Sequence, residues 1–542
     1  MGLSDGKKEK ENMTQKKIGA LVSCASNGVL TVDSVKRLIS DLEKMGYNFL
    51  ELCIDDTYKI DSEPFFGYLR GGYTHEEIRE MDSFAAKHGI ELIPDIQTLG
   101  HLVNLVKHPC YADIVDIDDI LMIDEPKTYE LIDKMFAAIA ADFTTRKVNI
   151  GFDEAHKVGL GRYLDKHGYT NRYELLLRHL NKVVEIAAKY GFKVHMWSDM
   201  FYRLANKGEY CREQPNLPQE VIEKVPDVEL CYWDYYNTDE KIYDCMLTSH
   251  EKFGKPLWFA CSAWTHMGFA PLNHYALRTI APAMKQVAKH NVDNVIVTLW
   301  GDDGNACSYF SALPVLYAAK QYAEGNFDDE RISLGFNRLF NLDYDAFMTL
   351  DLPNKISVNA DYLYGMSSCK AMLFNDPFLG WKDSAIGKTG KVPFDDYAKE
   401  IKRAGKNSGE YKYLFDNAEA LCNVLSLKYS LGVDTRRAYK ANDRKALAKL
   451  IKRYVKAAKA VQKFRKTMQN YWYADFKPYG WEINEVRFGG LISRLYDCSE
   501  RIKLYLSGKT DDIPELNETI IPSGDDRVDC NVYKALISVS QL

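Results

Sequence analysis

Asp153 and Glu154 are adjacent carboxylic acids at the end of the apolar stretch Ile150-Gly151-Phe152, and the run continues into Ala155 and His156. Two like charges a few ångströms apart resist ionising together, so such a pair can keep one proton near neutral pH and act as an acid/base device. The dipeptide is not distinctive by itself, since Asp-Glu recurs at positions 124, 239 and 329 on what read as solvated surfaces. Its position is what matters. Val148 to Phe152 reads as a short buried strand, so the acids stand at a strand end. Side chains of a regular strand alternate between faces, so both acids can reach one pocket only if the chain twists or bulges after Phe152.

The elements around that strand form a series. Eight β-rich runs are present: Ile18 to Ser23, Phe49 to Ile54, Glu91 to Ile96, Val148 to Phe152, Lys193 to Trp197, Val228 to Tyr232, Leu257 to Cys261 and Asn294 to Leu299. Helical patterns separate them, at Val32 to Met45, His75 to His88, Tyr129 to Phe143, Tyr173 to Tyr190, Leu217 to Lys224, Asp239 to Phe253 and Tyr275 to His290, with Ala312 to Ala323 after the last. Strand followed by helix, eight times, predicts an α/β fold closed into a (β/α)8 TIM barrel, whose chemistry lies beyond the C-terminal strand ends. Those ends carry Ser26-Asn27, Asp55-Asp56, Gln97 with His101, Asp153-Glu154, Trp197-Ser198-Asp199, Tyr232-Trp233-Asp234-Tyr235, Trp264, and Trp300-Gly301-Asp302-Asp303. Acids and tryptophans gathered at one end of a barrel describe a polar, aromatic-walled hollow suited to a sugar.

The boundaries expected are a mobile leader over residues 1–16, a barrel over 17–325 and a mainly α-helical C-terminal domain over 326–542. In the last part, residues 409–432, 435–472 and Gly489 to Leu506 read as helices, and the basic Arg436 to Arg465 face reads as solvated surface. The helical part is placed to reach the rim of the active site.

Composition narrows the partners. The chain has 542 residues, 46% hydrophobic and 27% charged, and a formal net charge of -6, which offers nucleic acid and anionic membranes no attraction. No apolar run reaches the roughly 18 residues of a membrane span, and the first residues lack a signal-peptide core. The 12 cysteines show no C-x-x-C pair, which fits a reduced, cytoplasmic setting. Histidine spacing fits no metal site, and neither metal nor cofactor is expected. The oligomeric state is not legible, with a homodimer as one option.

The motifs match a known family. Ile93-Pro94-Asp95-Ile96-Gln97-Thr98-Leu99-Gly100-His101, Gly151-Phe152-Asp153-Glu154-Ala155-His156, Met196-Trp197-Ser198-Asp199-Met200-Phe201, Tyr232-Trp233-Asp234-Tyr235-Tyr236, Gly268-Phe269-Ala270-Pro271 and Thr298-Leu299-Trp300-Gly301-Asp302 occur in order. With Lys477 to Glu482 and Gly489 to Arg494, the chain resembles the family 20 glycoside hydrolases, the β-N-acetylhexosaminidases, and in particular a bacterial subgroup without the N-terminal α+β domain and with a helical C-terminal domain. The resemblance implies a retaining, exo-acting hydrolase of terminal β-linked N-acetylhexosamine (GlcNAc or GalNAc), in which the sugar's own 2-acetamido oxygen attacks the anomeric carbon.

It also implies roles. Glu154 protonates the departing oxygen and then activates water. Asp153 holds the acetamido N–H and steadies the oxazolinium charge. Tyr232 aims the acetamido oxygen, Asp234 and Asp302 bind sugar hydroxyls, and Trp197, Trp264 and Trp300 wall the pocket. His101, paired with Asp55 or Asp56, supports the acid. The sequence departs from the family at three places. No arginine follows the first strand, where a fork for O3 and O4 is usual, a loss of about 1.5 to 3 kcal/mol unless replaced. His266 stands for an aromatic residue and Ala306 for an acid. These changes suggest a rebuilt far side of the pocket, with a preference for a galacto-configured or substituted sugar. Two other readings stay open: a retaining glycosidase with a protein carboxylate such as Asp302 as nucleophile, and a sugar-binding homologue without catalysis.

Overall fold

The eight β-rich runs become the staves of a closed, all-parallel barrel in the computed structural model, which describes residues 16–356, 368–522, 533–538 and 540. They are β1 Lys17–Ser23, β2 Phe49–Cys53, β3 Glu91–Asp95, β4 Lys147–Asn149, β5 Lys193–Trp197, β6 Glu229–Trp233, β7 Leu257–Ser262 and β8 Asn294–Leu299. Each pairs with its sequence neighbours, and β1 closes on β8 from Lys17↔Asn294 to Val22↔Leu299. The weakest seam lies beside the candidate acids, where β3 and β4 share the single pair Asp95↔Asn149. The expected leader lies outside the described residues but for Lys16.

The helices start and stop where local chemistry tells them to. Val32–Met45 begins at Thr31, whose hydroxyl accepts from the Ser34 N–H, and ends at Gly46 in the left-handed region. His75–Lys87 carries a reciprocal capping box between Thr74 and Glu77. Pro126 opens Pro126–Asp142 three residues before the expected start, in the position where its missing N–H costs nothing. The loop after β3 is richer than expected. It holds the one-turn helix Val103–Val106, a 3-10 segment Pro109–Ile114 and a small antiparallel ribbon of Val115–Ile117 with Ile120–Leu121.

Below the mouth the barrel interior is polar as well as apolar. Buried Glu51 accepts from His195 Nε2 at 2.8 Å, and the imidazole lies flat on Trp258 with ring centroids 4.3 Å apart. Asp95, Asn149 and Ser262 are buried in neighbouring strands.

After the barrel helix Leu313–Ala323 no further strand occurs among the described residues. The C-terminal part is built on Lys412–Lys428, Leu431–Lys440, Arg444–Asp475 and Trp481–Leu506, the last two packed along each other. The one helix expected over 435–472 is therefore two, because Asn442 turns left-handed and the Asp443 carboxylate caps a new helix at the Ala446 N–H. The helix expected from Gly489 starts at Trp481 and runs through both glycines. Among the described residues no helix is long and apolar enough to cross a membrane.

The helical part is bolted to the loops at the barrel mouth. Asp475, buried at the end of its helix, accepts from Ser308 Oγ at 2.6 Å, Tyr413 OH at 2.7 Å and Arg37 Nη2 at 2.9 Å. The Arg37 guanidinium also lies 3.5 Å from the centre of the Phe310 ring. Asp303, after β8, is held by Lys370 and Arg487, both at 2.6 Å. Asn27, after β1, donates to the Gly480 carbonyl at 3.1 Å. Gly480 has φ +86° and passes so close that a Cβ would stand 1.9 Å from the Asn27 carbonyl oxygen. A Gly480→Ala variant should thus pay about 1–3 kcal/mol for the backbone alone, with the clash in addition. Denaturant unfolding should report a loss of at least that size, and an unchanged midpoint would show that this junction yields freely.

Candidate active site

The site is made by a chain break at the end of β4. Pairing stops at Asn149, and Gly151 (φ +74°), Phe152 (φ +79°) and Glu154 (φ +50°) all enter the left-handed region. Only glycine fits at 151, because a Cβ would lie 2.0 Å from Gln97 Oε1. The break comes earlier than the bulge expected after Phe152, and Phe152 is one of the residues that make it. Its effect is the one the chemistry needs. Asp153 and Glu154 both line one cavity of about 370 Å³ at the C-terminal mouth of the barrel.

His101 stands between the two acids, its Nε2 3.2 Å from Asp153 Oδ2 and 3.8 Å from Glu154 Oε2. Gln97 Nε2 donates to the other Asp153 oxygen at 3.1 Å. Burial pushes the Asp153 carboxyl up, but the His101 charge and these hydrogen bonds outweigh it and hold the group below the usual carboxylate range. The Asp153 charge in turn lifts His101 to about 10. The expected partner of His101 was Asp55 or Asp56. Instead the imidazole binds Asp153 directly, while Asp55 lines the cavity and is raised to about 7 by burial and by Asp56 beside it.

Three further expected residues complete the wall. Trp197 and Trp300 adjoin with ring centroids 6.1 Å apart and planes tilted by 57°, and Asp302 is exposed at the rim. The Trp300 indole N–H donates to the Tyr235 hydroxyl at 3.0 Å. The other three lie elsewhere. Tyr232 is buried outside the cavity, its ring stacked on His250 and its hydroxyl donating to Asp234 at 2.8 Å. Asp234 spends its carboxylate on Tyr232, on the N–H groups of Tyr236 and Asn237 and on the Asn237 amide, so it pins the turn after β6 and has no face toward a sugar. Trp264 is wholly buried behind the lining, donating to the Tyr235 carbonyl and stacked on His266. For Tyr232 and Asp234 the reason is strand parity. The lumen side of β6 is taken by Cys231, close to Glu51 and Asp95, so Trp233 and Tyr235 reach the cavity and the residues between them face the helices.

The far side of the hollow shows what the missing arginine leaves. Ser23, Ala25, Ser26 and Asn104 line it together with His266, whose pKa burial lowers. Arg70, from the loop after β2, stands behind this wall with its guanidinium turned onto the Ala25 and Ser26 carbonyls and the Asp56 carboxylate. Ala306 is buried and takes no part in the lining.

One residue at the site, Arg203, went unmarked in the sequence, and Asp199 was marked only as a strand-end acid. Arg203 Nη2 lies 3.2 Å from Glu154 Oε1, and its Nε donates to buried Asp199 at 2.8 Å. The available signal was an Asp-x-x-x-Arg pair on the first turn after β5, the spacing that puts two side chains on one helix face. Among the described residues no group of three or more acidic, His or Cys side chains is arranged to hold a metal ion.

Residues 52–222 match the model of the glycosyl hydrolase family 20 catalytic domain, and residues 345–531 match that of the glycoside hydrolase 20C C-terminal domain. A beta-hexosaminidase of Vibrio furnissii is 27% identical over 217 residues, which are 32% of this chain and 35% of that protein. Hexosaminidase D of Homo sapiens is 24% identical over 232 residues, 41% of this chain and 45% of that protein. The matched part thus spans less than half the length of these curated relatives. A solved GH20 exo beta-N-acetylglucosaminidase from Vibrio harveyi, in complex with N-acetylglucosamine, covers 62% of this chain and 57% of its own at 18% identity and a TM-score of 0.44.

The His101–Asp153 pair carries a pH signature. Folding raises the His101 pKa from its ordinary 6.5 to about 10, so its contribution to stability is complete below pH 6.5 and is lost as the pH climbs through 10. The melting-temperature advantage of the wild type over His101→Asn should therefore be largest near pH 6 and shrink toward pH 10. An advantage that stays level over that range would show that the imidazole is uncharged.

Proposed function

Because the chain belongs to glycoside hydrolase family 20, we propose that it is a retaining exo-β-N-acetylhexosaminidase that uses the substrate's acetamido group as nucleophile. The observation that carries this reading is the convergence of Asp153 and Glu154 on a single tryptophan-walled cavity, with a charged imidazole against Asp153. Asp153, kept ionised, suits a group that orients the acetamido N–H and faces a developing cation. Glu154, at 41% side-chain exposure, stands at the mouth where a leaving group departs and water enters.

In the first half of the reaction the acetamido oxygen bonds to the anomeric carbon as the glycosidic C–O bond breaks, and the Glu154 proton passes to the departing oxygen. In the second half Glu154 takes a proton from water as that water opens the oxazolinium ring, which restores the β configuration. Tyr235 takes over the role assigned to Tyr232. Its hydroxyl accepts the Trp300 indole N–H at the cavity wall, within reach of the acetamido oxygen. Trp197 and Trp300 enclose the sugar and limit water around the intermediate.

The substrate class is β-linked N-acetylhexosaminide glycans. With no arginine in the lining, the O3/O4 end is held by neutral groups and Asp302, which favours a galacto-configured or substituted sugar over a strict GlcNAc preference. The barrel at residues 17–325 would carry the chemistry and residues 326–542 the support. The eleven described cysteines form no disulfide, which supports a cytoplasmic setting.

A panel of β-linked chromogenic sugars with and without the acetamido group tests the reading. Turnover should require that group, and a thiazoline that imitates the cyclised intermediate should bind far more tightly than product. Glu154→Gln should lower kcat by about 10²–10⁴-fold on poor leaving groups and by much less on nitrophenol. Turnover of sugars lacking the acetamido group, with a trapped glycosyl-enzyme, would point instead to a protein nucleophile such as Asp302. Sugar-induced stabilisation without any turnover would point to a binding protein.

A further inference from the structure

We propose that Asp199 and Arg203 are positioning residues that hold Glu154 from two sides and set the pH at which it releases its proton. This rests on Glu154 being the acid of the reaction proposed above.

The geometry is direct. One oxygen of Asp199, Oδ2, accepts both the backbone N–H of Glu154 at 3.2 Å and Arg203 Nε at 2.8 Å. Arg203 then passes its Nη2 to Glu154 Oε1 at 3.2 Å. The backbone and the carboxylate of one residue are thus tied to one buried acid, the first by contact and the second through a guanidinium. Glu154 needs the tie, because its left-handed backbone is disfavoured for any residue but glycine. Asp199 is fully buried, and its second oxygen has no partner among the described residues, so its hydrogen bonds there go to Glu154 and Arg203 alone. Arg203 is itself kept in place by the Tyr210 and Trp233 rings, at 5.6 and 5.5 Å.

The charges around Glu154 are few and can be named. On its own loop are Asp153 and His156. The loop after β3 brings His101, the turn after β5 brings Asp199 and Arg203, the loop after β6 brings Tyr236, and Arg172 grips the His156 carbonyl. Three carboxylates, Asp153, Glu154 and Asp199, share two close cations, His101 and Arg203. Asp199 is raised to about 7 by burial and then by Asp153, so near neutral pH it exchanges between its charged and neutral forms. Because both acids bind one guanidinium, a charged Asp199 competes with Glu154 for Arg203, and a neutral Asp199 leaves Arg203 to the Glu154 carboxylate. The clamp therefore couples the acid and base states of Glu154 to a neighbour that never touches the sugar.

The test is the pH dependence of kcat/KM on a chromogenic β-N-acetylhexosaminide, whose alkaline limb reports loss of the Glu154 proton. Arg203→Gln removes a cation and should move that limb up by about one unit, with kcat on a poor leaving group down at least tenfold and KM within threefold. Asp199→Asn leaves Arg203 undivided and should move the limb down. Arg203→Lys should return it toward the wild type. Limbs that stay within 0.2 units in all variants would overturn the proposal, as would the same displacement for both removals. Wild-type enzyme that neither turns over acetamido sugars nor binds the thiazoline would refute the functional reading itself. Active, thiazoline-sensitive wild type with unmoved limbs would refute only the clamp. If Arg203→Gln does not fold, Arg203→Lys and Asp199→Asn still give the sign.

Discussion

The site depends on a strand that stops too soon. Had β4 continued regularly past Asn149, its acids would have pointed to opposite faces and only one could have met a sugar. The left-handed turn through Gly151 and Phe152 abolishes the alternation, and the left-handed backbone of Glu154 swings the second acid to the mouth. The two non-glycine residues in that conformation cost about 1–3 kcal/mol each. Gln97 fills the space a side chain at 151 would need, and the hydrogen bond from Glu154 N to the Asp199 carboxylate returns about 1.5–3 kcal/mol. The kink is therefore sustained by neighbours just beyond the ends of β3 and β5. The seam that gives way for it, the single β3–β4 pair, is the place where the barrel gives up sheet hydrogen bonding for reactivity.

Electrostatics then divides the labour between two chemically similar groups. Asp153 is deeply buried, yet it is held ionised, because an imidazolium and an amide point at it. Glu154 is nearer solvent and is addressed by a guanidinium that it must share. Burial alone would have pushed the Asp153 carboxyl up. The reversal comes from where His101 sits, with its own backbone at φ +58° in the loop after β3.

How much of this was legible depends on the length scale of the signal. The barrel was readable because strand and helix periodicity repeat eight times, and helix limits such as Val32–Met45 followed from their caps. The cluster Asp153, Glu154, His101, Trp197, Trp300 and Asp302 was readable because each follows a strand. Tyr232 and Asp234 fall outside the lining for a shared reason, and Trp264 does so after its own backbone turns left-handed beyond β7. Beyond a strand end the sequence does not say on which side the next residue falls, and a shift of one position trades a lumen-facing tyrosine for one facing the helices. Tyr235, three residues on, is the side chain that reaches the cavity. Arg203 escaped notice because an arginine on a helix looks like surface until the acid beside it is known. The split at Asn442 escaped notice because one left-handed asparagine leaves the apolar pattern on either side intact.

The helical domain contributes by restraint. Among the described residues none of its side chains lines the cavity, yet it holds the loops after β1 and β8 that wall one end of the hollow. Asn305, between the Trp300-Asp302 corner and Asp475, shows the linkage. Its side-chain oxygen accepts the Asn27 and Gly28 N–H groups, its amide donates to Tyr309, and its carbonyl takes the Tyr471 hydroxyl from the helical part. Arg70, in the loop after β2, turns its guanidinium inward and braces the Ala25–Ser26 backbone. The side chains of Ala25 and Ser26 are thus presented to the cavity on a backbone held from one side by that guanidinium and, through Asn27, from the other by the helical part.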